Sequence, residues 1–299
     1  MVKVYLDEYK GWKDCVYITN GIIEAVVTTE VGPRVMRYGF VGKENIMQND
    51  ESLLGTSGQE EWVNYGGHRL WHSPELAVRS YVPDNSPIDY ELIDNGVSTI
   101  QYEDSIGIEK RMQITMDDNG EMTIKHTVIN RNYWEIECAA WALSVLCPGG
   151  MEAIPVVRGD YDQLLSDRSL TLWPYTIMAD SRVYWGNDVI TVKQDTNATR
   201  KFKFGMQNTA GVVGYFVHNQ LFVKKHTHDN DAYYPDGNCS FETFTNSDML
   251  EMESLSPMYQ LAHDEAVEHE EKWSLFDGIE CPDSKDEKTI LELLEKYSK

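Results

Sequence analysis

The sequence predicts an all-β fold arranged as an antiparallel sandwich, and three observations lead to this prediction. Apolar and polar residues alternate with a period of two along most of the chain, as in strands with one buried face. Turn dipeptides such as Asn20-Gly21 and Asn95-Gly96 separate these runs, and Asn-Gly between alternating runs is a strong hairpin signal. Helical periodicity is scarce, so the strand–helix alternation of a parallel sheet is not predicted.

The alternating runs follow one another, with short turns between them, as far as residue 276. Residues 15–40 read as three strands, broken at Asn20-Gly21 and Gly32-Pro33, and two hairpins follow around Asn95-Gly96 and 117–120. Two segments, 50–87 and 147–170, lack the alternation. Loops of that length in compact domains are usually functional or disordered, and the Trp and Tyr content of these two argues against disorder. Further strands are expected at 135–146, 182–192, 201–206, 211–217, 220–226, 239–245, 248–255 and 267–276.

The C-terminal segment, about 284–298, is the one convincing helix. It has acidic residues early, lysines late, and apolar residues at helical spacing, namely Ile290, Leu291, Leu294 and Tyr297. We expect this helix to pack on the sandwich, with a partner-binding helix as the alternative. Because the chain has no internal repeat and no Pro/Ser-rich linker, residues 1–299 are expected to form a single domain.

The composition limits the possible partners and the compartment. The 49 acidic residues against 26 basic ones give a net charge of −23, which would repel nucleic acid and anionic membranes. The small basic cluster, Arg200 to Lys203, is interpreted as an exposed strand face. Five cysteines without a C-x-x-C pair indicate free thiols, and no export signal or 18-residue apolar run is present, so a cytoplasmic protein is expected. Nothing in the sequence indicates a cofactor, and the oligomeric state stays open.

Four segments occur in an order that carries a family resemblance. They are "TTEVGPRVMRYGFVGKENIMQND", "NYGGHRLWHSPE", "HTVINRNYWEIECAAWALSVLCPGG" and "MLEMESLSPMYQLAHDEAVEHEEKWSLF". Together they resemble the galactose mutarotase-like (aldose 1-epimerase-like) superfamily over residues 15–276. The segments "YGGHRLW" and "FETFTN" are most similar to an uncharacterised subfamily. The resemblance implies an antiparallel β-supersandwich with a sugar cleft, to which the helix predicted at about 284–298 is added.

The resemblance also implies a catalytic base. Ring opening of a sugar needs a general base for the anomeric hydroxyl and a general acid for the ring oxygen. Glu253 stands where the family carries its base, and Glu251 points to the same face of that strand. Trp141 stands at the position of the family's acid histidine, and an indole does not supply a proton. We therefore expect His68, after the double glycine, to be the substitute acid.

Other residues are candidates for the walls of the cleft. Each of them also has a structural interpretation, in the core or in an ordinary ion pair, and His126 is interpreted as a core histidine. The His226–His228 pair has no third candidate ligand at a sequence spacing typical of metal sites, so no metal site is predicted. The candidate substrate-binding residues are Arg34, Asn64, Tyr65, Arg69, Trp71, His72, Trp141, His226, Tyr233 and Glu251.

The predicted function is therefore that of a carbohydrate-processing protein, an aldose 1-epimerase-like isomerase that binds a small sugar. Two alternatives stay open. A non-catalytic sugar-binding or regulatory protein would have kept the cleft and lost the acid. A hydrolase or lyase would use Glu251 or Glu242 beside Glu253. The sequence does not identify the sugar, the pathway or the group that faces Glu253.

Overall fold

The computed structural model describes residues 1–299 and consists mainly of antiparallel strands. The first half of the chain contains β1 Lys3–Tyr9, β2 Trp12–Thr19, β3 Ile23–Thr28, β4 Arg34–Phe40, β5 His68–Ser73, β6 Asp89–Ile93, β7 Gly96–Glu103, β8 Ile108–Met116, β9 Met122–Asn130 and β10 Ile136–Leu146. The second half contains β11 Met151–Pro155, β12 Leu170–Leu172, β13 Val183–Trp185, β14 Val189–Lys193, β15 Phe202–Met206, β16 Val212–Val217, β17 Gln220–His226, β18 Phe241–Thr245, β19 Leu250–Leu255, β20 Tyr259–Leu261 and β21 Ala266–Asp277.

The strands form two sheets, which confirms the predicted antiparallel sandwich. The first sheet has eleven strands in the order β1-β2-β3-β4-β5-β10-β19-β18-β15-β12, with β20 also paired to β10. The second has ten, in the order β13-β14-β11-β16-β17-β21-β9-β8-β7-β6. A core of 39 buried hydrophobic residues lies between the two sheets. Leu70, Met252 and Phe241 belong to this core, so their faces of β5, β19 and β18 point toward the second sheet.

Three helices complete the fold: α1 Ala77–Ser80, α2 Pro235–Asn238 and α3 Glu287–Tyr297. The third confirms the predicted C-terminal helix. The side chain of Asp286 caps its first turn by accepting a hydrogen bond from the Thr289 amide, and Ile290 and Leu294 are buried in a small apolar cluster with Phe216. None of the three helices has the length and apolarity that a membrane-crossing helix requires.

The two segments without alternation contain regular structure that was not predicted. Strand β5 lies inside 50–87 and β11 lies inside 147–170. All six residues of β5 and all five of β11 are buried. A strand buried on both faces need not alternate polar and apolar residues, so the period-two signal is lost in both. This matters for function, because β5 lies in the middle of the first sheet, between β4 and β10.

Candidate functional site

A pocket of about 410 Å³ opens on the outer face of the eleven-stranded sheet, the face turned away from the second sheet. Alternate residues of β5, β10, β19 and β15 form its floor, because successive side chains of a strand point to opposite faces. These floor residues are Arg69, Trp71, Trp141, Leu143, Glu251, Glu253 and Lys203.

Glu253 lies deep in this pocket and is almost fully buried. Its Oε2 accepts hydrogen bonds from the Trp141 indole Nε1 at 2.9 Å and from the Lys203 Nζ at 2.8 Å. Its Oε1 has no hydrogen-bond partner within the chain. One carboxylate oxygen is thus fixed by the protein, and the other is buried without a hydrogen-bond partner.

Glu242 shares Lys203 with Glu253. It lies opposite Glu253 in the β18–β19 register, and its Oε2 is 2.8 Å from the Lys203 Nζ. Burial would lower the pKa of Lys203, but the two carboxylates outweigh this effect and raise it. Burial raises the pKa of Glu253 and raises that of Glu242 well above its ordinary range. Because only Glu253 has a second donor, Trp141, we assign the negative charge to Glu253 and a proton to Glu242.

The second cation of the pocket is also paired. Arg69 on β5 donates from Nη1 and Nη2 to Oε1 of Glu251, at 3.2 and 3.3 Å. Its guanidinium lies over the ring of Trp71, 4.5 Å from the centroid, and also over that of Trp62 at 5.4 Å. These contacts give Arg69 a fixed orientation at the pocket wall.

Aromatic side chains form much of the remaining wall. Trp71 meets Trp141 edge to face with the ring centroids 5.5 Å apart, and Trp62 meets Trp71 at 5.2 Å. The Lys203 Nζ lies between Trp141 and Trp173, at 4.8 and 4.7 Å from their ring centroids. The pocket therefore combines apolar ring surfaces with a small number of fixed polar groups, as small-molecule sites commonly do.

The expectation that His68 faces Glu253 is corrected by the structure. His68 and His72 lie on the core-facing side of β5, whereas Arg69 and Trp71 lie on the pocket side, and both histidines are fully buried. The sequence segment was interpreted as a loop, and in a strand neighbouring side chains alternate between faces. His68 is therefore not positioned to act on a ligand beside Glu253.

His68 instead belongs to a hydrogen-bonded network between the sheets. Its Nε2 is 2.7 Å from Nε2 of His126, and its Nδ1 is 2.9 Å from the Ser144 hydroxyl. His126 donates from Nδ1 to the His269 carbonyl oxygen, so its Nε2 accepts the proton of His68. Burial lowers the pKa of both imidazoles, to about 3 for His126, and keeps them neutral. The interpretation of His126 as a core histidine is confirmed.

His68, His126 and Glu271 also lie close enough together to suggest metal ligands, with their ligand atoms within 4.8 Å of one another. The bonding capacity of these groups is already used within the protein. Glu271 pairs with the Lys224 Nζ at 2.7 Å and accepts a hydrogen bond from the Trp273 Nε1 at 2.8 Å. A divalent cation here would lie beside a buried ammonium with little negative charge to balance it. The cluster fits a satisfied polar network better than a metal site.

Four other predicted residues lie outside the pocket, while Asn64 lines it. Arg34 forms a buried ion pair with Asp84 at 2.7 Å and lies over the Tyr65 ring, in a cluster beneath the first strands. His226 is buried and stacks on Phe241, on the core side. Tyr233 is exposed, and neither it nor His226 contributes to the wall. The alternation of side chains along β17 explains why His226 points to the core. The positions of Arg34 and Tyr65 depend on tertiary packing, which local sequence pattern does not predict.

Several pocket residues were not predicted. Lys203 was interpreted as part of an exposed strand face, but it is buried. The pattern "KFKFGM" contains a usable signal, because Lys203 lies on the face opposite to Phe202 and Phe204, which are in the core. Tyr175 and Tyr81 also line the pocket. They reach it from loops and turns, and strand periodicity gives no information about such positions.

Comparisons with known proteins support the fold. No protein-family model and no curated protein matches the sequence. Many solved structures are similar to the chain, among them three that match over most of their length. A galactose mutarotase-like protein from Clostridium acetobutylicum has a TM-score of 0.54 at 10% identity, covering 93% of this chain and 98% of that one. One from Lactobacillus casei gives 0.52 at 10% identity, with coverages of 87% and 99%.

The third structure is a galactose mutarotase related enzyme from Lactobacillus acidophilus, with a TM-score of 0.51 at 11% identity and coverages of 89% and 98%. Identities this low carry information about the fold and not about the chemistry. The pocket residues are therefore interpreted from their own geometry. The chain has the antiparallel two-sheet fold of the galactose mutarotase-like proteins.

Proposed function

We propose that the pocket around Glu253 binds a sugar and that the protein interconverts its anomers, with Glu253 as the general base. The observation that carries this proposal is the unpaired Oε1 of Glu253, buried beside the tryptophan rings of the pocket. A sugar presents an apolar face to aromatic rings and hydroxyl groups at its edge. A pocket with Trp71 and Trp141 beside one carboxylate oxygen that has no protein partner matches that pattern.

The acid in this proposal is Tyr175. Its hydroxyl takes part in no side-chain hydrogen bond of the chain, and the residue lines the same pocket as Glu253. Burial raises its pKa to about 12, so the phenol carries its proton at neutral pH. Lys203 is a poorer acid, because its ammonium is held in ion pairs between Glu242 and Glu253.

The reaction then follows from these two groups. Glu253 takes the proton of the anomeric hydroxyl, the bond from the anomeric carbon to the ring oxygen breaks, and the ring oxygen takes a proton from Tyr175. The carbonyl group of the open-chain sugar rotates, and the same two steps in reverse close the ring on the other face. No redox step or cofactor is needed.

The proposed substrate is an uncharged sugar. Arg69 is occupied by Glu251, and Lys203 is occupied by Glu253 and Glu242. A phosphate or carboxylate on the ligand would have to compete with these buried pairs, whereas a neutral hydroxyl group would not.

Polarimetry with α-glucose and α-galactose tests the catalytic proposal. We expect the wild-type protein to accelerate mutarotation above buffer, and we expect Glu253→Gln to abolish the acceleration because the amide does not accept the proton. Tyr175→Phe should lower the rate by about 10²-fold or more, the usual contribution of a general acid. Glu270→Gln, at an exposed position of β21, is the matched control and should retain full activity. Full activity in Glu253→Gln would contradict the proposal.

A sugar-binding protein without catalysis is the second candidate. It is favoured by the absence of histidine from the pocket lining and by the pairing of Glu253 with Lys203, which weakens the carboxylate as a base. Calorimetry would then detect a neutral sugar whose anomers the protein does not interconvert. Hydrolase or lyase chemistry by a carboxylate pair has less support, because Glu251 is paired with Arg69 and Glu242 does not line the pocket.

A further inference from the structure

A second cavity, of about 520 Å³, lies at one end of the space between the sheets. It shares no lining residue with the pocket around Glu253. Strand β5 separates the two, because Trp71 faces the first pocket and His72 faces the second cavity. The turn 104–107 and the turn 131–134 form its outer wall.

The imidazole of His72, which lines this cavity, makes no hydrogen bond to the rest of the protein. It is fully buried, and neither Nδ1 nor Nε2 has a hydrogen-bond partner within the chain. Buried polar groups are almost always paired, and leaving one unpaired costs about 1–3 kcal/mol. Burial, with Lys110 and Arg79 nearby, lowers the pKa of His72 well below its ordinary value. The imidazole is therefore neutral, with one donor and one acceptor nitrogen.

Arg79 adds a second unsatisfied group at the same cavity. Its Nε is buried without a partner, its Nη2 donates to the Pro74 carbonyl oxygen at 3.3 Å, and no carboxylate pairs with it. A group that both donates and accepts hydrogen bonds is needed at His72, and only acceptors are needed at Arg79. Hydroxyl groups meet both requirements, whereas a carboxylate or phosphate only accepts and would leave the acceptor nitrogen of His72 without a partner.

The outer rim carries two exposed aromatic side chains, Tyr133 and Trp134, which are 90% and 66% exposed. The turn that holds them is fixed in place. Asn130 donates to the Trp134 carbonyl oxygen at 2.8 Å, and Asn132 donates to the carbonyl oxygens of Ile106 and Gly107, both at 3.0 Å. An exposed tryptophan on a rigid turn provides a flat apolar surface at low entropic cost.

From these contacts we propose that this second cavity binds a neutral carbohydrate unit. The apolar face of the sugar packs on Trp134 at the rim, and its hydroxyl groups bond His72 and Arg79 at the inner end. The inference does not depend on catalysis at Glu253, because the two sites share no residue.

Calorimetry with neutral oligosaccharides of glucose, galactose, mannose and xylose tests this site. The protein carries Trp71→Ala in all titrations, so that the first pocket contributes little. We expect binding of at least one oligosaccharide to persist in this background and to weaken about tenfold or more when Trp134→Ala is added. Tyr102→Ala, which removes another exposed aromatic ring outside the cavity, should leave the affinity unchanged.

Two variants at His72 separate recognition from folding. His72→Gln keeps one donor and one acceptor and should retain binding within a few-fold. His72→Leu should abolish it without lowering stability, because no protein hydrogen bond is lost. The proposal is overturned if no neutral oligosaccharide binds in the Trp71→Ala background, or if adding Trp134→Ala leaves the affinity unchanged. Preference for a uronic acid in an Arg79-dependent manner would overturn the assignment of a neutral ligand.

Discussion

The buried carboxyl group of Glu152 makes the stability of this protein depend on pH in a direction that can be calculated. Glu152 lies on β11 and is fully buried, and neither of its oxygens has a hydrogen-bond partner within the chain. Burial raises its pKa to about 8 from an ordinary 4.5, and the charge of Glu253 acts in the same direction. Replacement by Gln removes the titration and keeps the shape.

The sign of the effect follows from proton binding. Between pH 4.5 and 8 the folded protein holds a proton on Glu152 that the unfolded chain has lost, so the free energy of unfolding falls as the pH rises through this window. One pH unit corresponds to 1.36 kcal/mol, so the loss is about 3 kcal/mol by pH 7 and about 5 kcal/mol above pH 8. In Glu152→Gln this contribution to the pH dependence of the free energy of unfolding is absent.

Urea unfolding followed by tryptophan fluorescence, at pH 5, 6, 7 and 8, measures the effect. The free energy of unfolding of Glu152→Gln should exceed that of the wild type by an amount that increases with pH, by about 2.5 kcal/mol between pH 5 and 7. Because the two proteins share all other titratable groups, the contributions of those groups cancel in the difference between the two free energies of unfolding. A difference that stays constant across this range, or that decreases, would refute the assignment of a protonated Glu152.

Three further predictions concern single side chains. Arg34→Met should destabilise the fold by about 3–5 kcal/mol in urea unfolding, because it leaves Asp84 without its buried partner, and a loss below 1 kcal/mol would contradict this. Trp141→Phe removes a hydrogen bond that stabilises the Glu253 carboxylate, so the pKa of Glu253 should rise and the acidic limb of the pH–rate profile should move to higher pH. An unchanged acidic limb would mean that the indole does not affect the pKa of Glu253. Leu294→Ala should lower the free energy of unfolding by about 2–5 kcal/mol if the C-terminal helix unfolds together with the sandwich. An unchanged urea midpoint would show that the helix is not part of that cooperative unit.

The fold could be predicted largely from local pattern. The hairpin at Asn95-Gly96 joins β6 and β7 with Asn95 at φ 58°, which suits the turn chemistry that identified it. Predicted strands such as 220–226 and 248–255 differ from the observed ones by no more than two residues at either end. Strands β5 and β11 escaped prediction, because residues buried on both faces give no alternation.

The candidate site was predicted only in part. Glu251 and Glu253 share a face because they are two residues apart on one strand, and this local rule placed both in the pocket. The position of Trp141 beside Trp71 depends on the pairing of β5 with β10, which are far apart in the sequence. The Lys203 contact to Glu253 depends likewise on the order β19-β18-β15. Non-local pairings of this kind do not follow from local periodicity.

The central claim, that a sugar occupies the pocket around Glu253, is tested most directly by the indole N–H signals of ¹⁵N-labelled protein, assigned by single Trp→Phe variants. The sequence has eight tryptophans, and four of them line the pocket: Trp62, Trp71, Trp141 and Trp173. Titration with a neutral aldose should shift the signals of these four and leave those of Trp12, Trp185 and Trp273 in place. The eighth, Trp134, lines the second cavity and does not serve as a reference. Saturating sugar that shifts none of the four pocket signals would contradict the account.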